Sequence, residues 1–129
     1  MPYSTNALTG KIVLVVEDEY MLADAIEAAV RSAGGNVSGP FPTIKEALDH
    51  LADERNEPDA GTLNIRLIDG ESYPVADELS RRSIPFVLAS ANSPSSLPKR
   101  FSHVPLVTKP FSAYQIVQAI SELLRPQQS

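Results

Sequence analysis

What most restricts the fold of this chain is an alternation. Short apolar runs, beginning with Ile12-Val13-Leu14-Val15-Val16, are each followed by a segment whose apolar residues recur at helical spacing. A run with no polar alternation needs cover on both faces, the situation of a parallel strand between helices. Lys11 to Val16 therefore reads as a first strand. A helix follows, with Met21, Leu22, Ala25, Ile26, Ala29 and Val30 on one face. Gly34-Gly35 ends it, since helix C-termini favour a left-handed residue. Asn36 to Pro40 is a short second strand. Thr43 and Glu46 then have the spacing of a capping box, ahead of a stripe of Ile44, Ala47, Leu48 and Leu51.

Arg55 to Gly61 is a polar connection, and Thr62 to Leu67 is the third strand. Pro74 suits the first turn of a helix whose buried side is Val75, Ala76 and Leu79. Pro85 to Ala89 and Pro105 to Thr108 are the fourth and fifth strands. The prolines and serines of Ser93 to Pro98 leave any helix between them short or irregular. Ser112 can cap a last helix with the stripe Ile116, Val117, Ile120, Leu123 and Leu124. Strand and helix thus alternate throughout, which specifies an α/β domain: a doubly wound (βα)5 unit on a five-stranded parallel sheet. It is expected to occupy residues 11–125, with flexible tails at 1–10 and 126–129 and no effector domain after the last helix.

The length of 129 residues suits one domain with a real core. With no cysteine, disulfides, thiolate metal sites and a cysteine nucleophile are excluded. A net charge of -5 argues against a phosphate-backbone binder, so nucleic acid is not an expected partner. No apolar stretch approaches a bilayer span, and no secretory leader is apparent. A soluble, cytoplasmic domain is the expectation.

Ligands of open parallel sheets bind beyond the carboxyl ends of the strands. The polar residues there are Glu17-Asp18 after the first run, Asn64 in Leu63-Asn64-Ile65-Arg66-Leu67, Ser90 after Phe86-Val87-Leu88-Ala89, and Lys109-Pro110 after Leu106-Val107-Thr108. Adjacent carboxylates at a buried strand end repel each other, and a hard cation such as Mg2+ would relieve this. A solvated turn with Asp18 or Glu19 capping the next helix is the plainer alternative. Lys109 could neutralise a phosphoryl group or be an ordinary surface lysine, and Ser90 could bond a phosphoryl oxygen or simply end a strand. The proline after Lys109 permits a cis peptide bond.

Taken together, these residues resemble a response-regulator receiver domain of two-component signalling, over Lys11 to about Leu124. The landmarks are Val15-Val16-Glu17-Asp18-Glu19, the Leu63 to Leu67 run, Ser90 and Thr108-Lys109-Pro110-Phe111, in that order. Gly70-Glu71-Ser72-Tyr73-Pro74-Val75-Ala76-Asp77 is similar to a subgroup of small bacterial receivers, alphaproteobacterial ones especially. The resemblance implies a flavodoxin-like fold. It also implies that Glu17, Asp18 and the backbone carbonyl of Arg66 match the Mg2+ ligands, Ser90 the switch hydroxyl, and Lys109 the lysine that pairs with the phosphorylated aspartate.

Asn64 stands where that aspartate would be. Its amide has no ionised oxygen to attack phosphorus, so conventional aspartyl phosphorylation is closed and Mg2+ binding should be weak or absent. Asp69 lies too far along the chain to substitute, and Glu17 or Asp18 could act as nucleophile only by giving up the metal. Leu106 replaces an aromatic residue that many receivers carry three positions before the lysine, and Ala91-Asn92-Ser93-Pro94 departs from the subgroup's glycine-aromatic sequence.

Two functions follow as alternatives. One is a stand-alone atypical receiver that binds partners in phosphorelay signalling: a histidine kinase, a phosphotransfer protein, another receiver or a second copy of itself. The other is a receiver phosphorylated on a surrogate acid with Mg2+. A nucleotide-binding domain is disfavoured, because no glycine-rich loop follows the first strand. Lys99, Phe101, Leu106 and Tyr114 mark the expected interaction surface. His50 and His103 read as ordinary surface or edge histidines, Arg81-Arg82 and Lys99-Arg100 as solvated charges, and Tyr20, Tyr73 and Tyr114 as partly buried rings.

Overall fold

The computed structural model describes residues 6–91 and 97–125. Residues 1–5 and 126–129 of the expected tails lie outside these, as do Asn92 to Pro94 and the rest of the proline-serine stretch to Ser96.

Five strands form a parallel sheet: β1 (Ile12–Val16), β2 (Asn36–Phe41), β3 (Ala60–Asn64), β6 (Phe86–Ser90) and β7 (Leu106–Thr108). Their order is β2-β1-β3-β6-β7. A separate two-stranded hairpin, β4 (Arg66–Leu67) and β5 (Gly70–Glu71), follows β3. The helices are α1 (Tyr20–Ser32), α2 (Ile44–Leu51), α3 (Tyr73–Arg81) and α4 (Ala113–Leu123). This is the flavodoxin-like order, in which the chain winds first to one side of β1 and then to the other.

Alternation along β1 builds a core on each face of the sheet. Val13 and Val15 join Ile26, Val30, Ile116, Val117 and Ile120 under α1 and α4. Leu14 and Val16 join Leu51, Val75, Leu79 and Phe101 under α2 and α3. No helix among the described residues is long and apolar enough to cross a membrane.

The structure corrects several expectations. Leu8 belongs to the fold rather than to a tail: it is fully buried, and its N–H donates to the Ala33 carbonyl at 2.9 Å. The third strand starts earlier than its polar surroundings suggest, at Ala60, and ends at Asn64, where the chain bends into the hairpin. In α1 the buried positions are Ala23, Ile26 and Val30, while Met21 and Ala25 face outward. Tyr20 is 81% exposed instead of partly buried. Between β6 and β7, by contrast, the described residues hold a single 3-10 turn, Lys99–Phe101, in keeping with the short or irregular helix expected there.

Phe101 itself is core, stacked on Tyr73 and edge-on to Phe86, and so cannot be part of an exposed interaction surface. Lys99 is exposed, and Leu106 and Tyr114 are half-buried. Arg100 pairs with Asp77 and lies over the Phe101 ring. His50 is half-buried, with its Nε2 2.7 Å from the Ser38 Oγ.

Arg82 is no solvated charge. Its side chain is 7% exposed; Nε donates to Glu78 at 2.8 Å, and the two terminal nitrogens reach the carbonyls of Asn56 and Leu51. Hydrogen bonds from Arg81 and Arg82 hold the Glu78 carboxyl at about 2, against an ordinary value of 4.5. A lowered carboxylate stabilises the fold fully above its unfolded value and loses that contribution as pH falls toward its folded one. Denaturation midpoints of the native chain should therefore drop more steeply than those of Glu78→Gln between pH 4.5 and about pH 2. Parallel profiles would show that the pair adds nothing to stability.

Candidate functional site

Strand register brings the polar residues together. Val16 is opposite Leu63, Asn64 opposite Ala89, and Ser90 opposite Thr108. Glu17, Asp18, Asn64, Ser90 and Lys109 therefore share the carboxyl rim of four adjacent strands. The Lys109 N–H donates to the Ser90 carbonyl at 3.0 Å, and the Lys109-Pro110 peptide bond is cis.

Asn64 is the centre of the arrangement. Its Nδ2 donates to Glu17 Oε2 at 2.9 Å and to Asp18 Oδ1 at 3.4 Å. Glu17 is the buried member of the acid pair, 4% exposed, while Asp18 is open to solvent. Desolvation pushes the Glu17 carboxyl above its ordinary value, opposed by hydrogen bonds from the Glu19 N–H, at 3.0 Å, and from the Asn64 amide. A neutral donor thus does part of what a cation would do between two crowded carboxylates.

That geometry tests the fit of a hard metal ion. Mg2+ requires oxygen ligands that face it and favours charged ones. Here an oxygen of each acid accepts from an N–H of Asn64. Among the described residues no group of three or more acidic, histidine or cysteine side chains is arranged to hold a metal. The donor set does not fit Mg2+ as it stands. The Arg66 carbonyl points away from β5. The Ser72 N–H bonds the Ile65 carbonyl at 2.8 Å, so the next pair, Arg66 with Glu71, is of the kind whose backbone groups point away from the partner strand.

Lys109 pairs elsewhere than expected. Its Nζ donates to Glu19 Oε1 at 3.0 Å, an exposed pair worth at most about 1 kcal/mol. Glu19 is the N-cap residue of α1, but its side chain makes no cap bond. Asp69, too distant in sequence to replace Asn64, has a definite task. Its carboxylate accepts from the Ile44 N–H at 3.0 Å and the Lys45 N–H at 3.2 Å, capping α2. Ser72, the N-cap residue of α3, makes no side-chain cap bond; its Oγ is buried and has no partner among the described residues.

Comparison with known proteins agrees with this fold. The chain is 33% identical over 125 residues to the phyllosphere-induced regulator PhyR of Methylorubrum extorquens, covering 91% of this chain and 45% of that protein. It spans about half the length of the curated relatives it matches. Among solved structures, SdrG from Sphingomonas melonis Fr1 is 35% identical with a TM-score of 0.73, covering 92% of this chain and 98% of that one. The response regulator PhyR from Brucella abortus is 29% identical with a TM-score of 0.71, covering 93% of this chain and 50% of that one. No family model matches the chain.

Proposed function

The chain belongs to the response-regulator receiver family, and from that premise we propose that it serves two-component signalling as an interaction module that takes no phosphoryl group at position 64. One observation carries the reading. The side chain at the acceptor position is an amide that spends its N–H groups on Glu17 and Asp18. Phosphoryl acceptance needs a carboxylate oxygen that attacks phosphorus while the donor's oxygen leaves. Asn64 offers no such oxygen.

Glu17 and Asp69 are poor replacements. Glu17 is buried and holds the Glu19 N–H, and Asp69 is committed to α2. With the amide in place, the acid pair is held together without a metal, so the pocket stays in one arrangement regardless of phosphate supply. The module binds a cytoplasmic histidine kinase, a phosphotransfer protein or another receiver by surface complementarity. Glu17, Asp18, Asn64, Ser90 and Lys109 keep the family's constellation without its nucleophile.

The test is mass spectrometry of the native chain after incubation with acetyl phosphate and Mg2+. No phosphoryl adduct is expected. An adduct that forms only with Mg2+ and maps to any carboxylate would overturn the reading and establish a surrogate acceptor.

A further inference from the structure

Asn64 is followed at once by a hydrogen-bonded piece of chain. The Ile65 N–H donates to the Ala89 carbonyl at 2.8 Å, and the Ile65 carbonyl accepts from Ser72 at the same distance. Between them the hairpin pairs Arg66 with Glu71 and Leu67 with Gly70, leaving Ile68 and Asp69 as the turn. The turn is pressed against α2. Gly70 has φ +134°, and a Cβ built there would sit 3.4 Å from the Ile44 Cδ1. Asp69 takes the first two N–H groups of α2, and Thr43 takes the third, that of Glu46, at 3.1 Å. The first turn of α2 is therefore satisfied largely by a residue five positions after Asn64, with the first strand of the hairpin between them. On the other side of the pocket, the route through an aromatic residue at position 106 is lacking, and one 3-10 turn stands between β6 and β7 among the described residues.

We propose that the hairpin couples position 64 to α2, with Asp69 as the positioning residue, so that a change at the pocket is read out at the N-terminus of α2. The coupling rests on reading position 64 as the acceptor position of the family. Two hydrogen bonds to one carboxylate depend on the same hairpin placement, so a displacement of about an ångström weakens both together. Coupling of this kind is reciprocal: whatever position 64 does to the cap, loss of the cap does to position 64.

The experiment compares amide hydrogen exchange and 1H–15N spectra of the full native chain, Asn64→Asp, Asp69→Asn and the double variant, all without added metal. In Asn64→Asp the new carboxylate is repelled by Glu17 and Asp18. Exchange at Ile44 and Lys45 is expected to quicken about tenfold, the loss typical of a helix cap, while Ile116 and Val117 keep their protection as a control for global folding. In the Asp69→Asn background the substitution at 64 should no longer alter Ile44 and Lys45, which a purely local role for Asp69 would not produce. Asp69→Asn alone should shift the side-chain amide resonances of Asn64. Unchanged Ile44 and Lys45 in a folded Asn64→Asp chain, or the same response with and without Asp69, overturns the coupling. A native chain that accepts a phosphoryl group would defeat the proposed function and leave this result standing.

Discussion

Asn64→Asp is expected to leave a folded chain whose stability depends on Mg2+ and which takes a phosphoryl group from acetyl phosphate. Two effects act without metal. The donor to Glu17 Oε2 and Asp18 Oδ1 is lost, and a third acceptor-only group enters a site where Glu17 is already buried and raised by desolvation. Hydrogen bonds to charged groups contribute about 1.5–3 kcal/mol, so in EDTA the variant should be roughly 2–3 kcal/mol less stable than the native chain. Three carboxylates at one rim then form the charged oxygen set that a hard cation favours. A ligand at a hundred times its dissociation constant stabilises by about 2.7 kcal/mol, enough to offset most of that loss.

The chemistry follows from the same substitution. A carboxylate oxygen at position 64 forms a bond to phosphorus, and the bond from phosphorus to the acetyl oxygen breaks to release acetate. Denaturation midpoints with EDTA and with Mg2+, and intact mass after acetyl phosphate, read both effects. The native midpoint should not respond to Mg2+ beyond the effect of ionic strength. A variant indifferent to Mg2+ and unmodified by acetyl phosphate would mean that the pocket differs from an active receiver in more than this residue.

Legibility in the sequence followed the range of the interactions. The β1 run and the α4 capping box, in which Ser112 and Gln115 bond each other's backbone, are local, and a reader of adjacent residues sees them. So is the placing of acids, amide, hydroxyl and lysine at strand ends, because each follows its own apolar run. The partners are another matter. Lys109 finds Glu19 across ninety positions, and Asp69 finds α2 across twenty-five. No periodicity encodes either pairing.

The third strand misled for a different reason. Ala60 and Gly61 are small and follow a polar stretch, yet both are buried within the sheet. Ile65 and Leu67 continue the apolar pattern of the strand but are buried from a hairpin that leaves the sheet. Hydrophobicity reports burial at such positions and is silent about the bend. Leu8 shows the reverse case, one large apolar residue in a segment without strand or helix patterning that joins the α1 side of the core.

Arg82→Ala should be the most damaging single change outside the apolar core, costing about 2–4 kcal/mol in a denaturation experiment. The guanidinium joins three elements. It bonds Glu78 in α3, whose C-terminus Arg82 caps, the carbonyl of Leu51 at the end of α2, and the carbonyl of Asn56 in the following loop. Helix C-terminal carbonyls have no partner within their helix, and a cation there also meets the negative end of the helix dipole. Removing the side chain leaves both carbonyls without their donor and Glu78 with only the exposed Arg81. Arg82→Lys should recover less than half the loss, because an ammonium on a single stem cannot span a fork-shaped set of acceptors. Arg81→Ala is the matched control: its guanidinium is 57% exposed, and its pairs with Glu78 and Glu54 should contribute less than about 1 kcal/mol. If the two alanine variants lose the same stability, the burial of Arg82 contributes nothing beyond a surface ion pair, and α2 and α3 are held together by their apolar contacts alone.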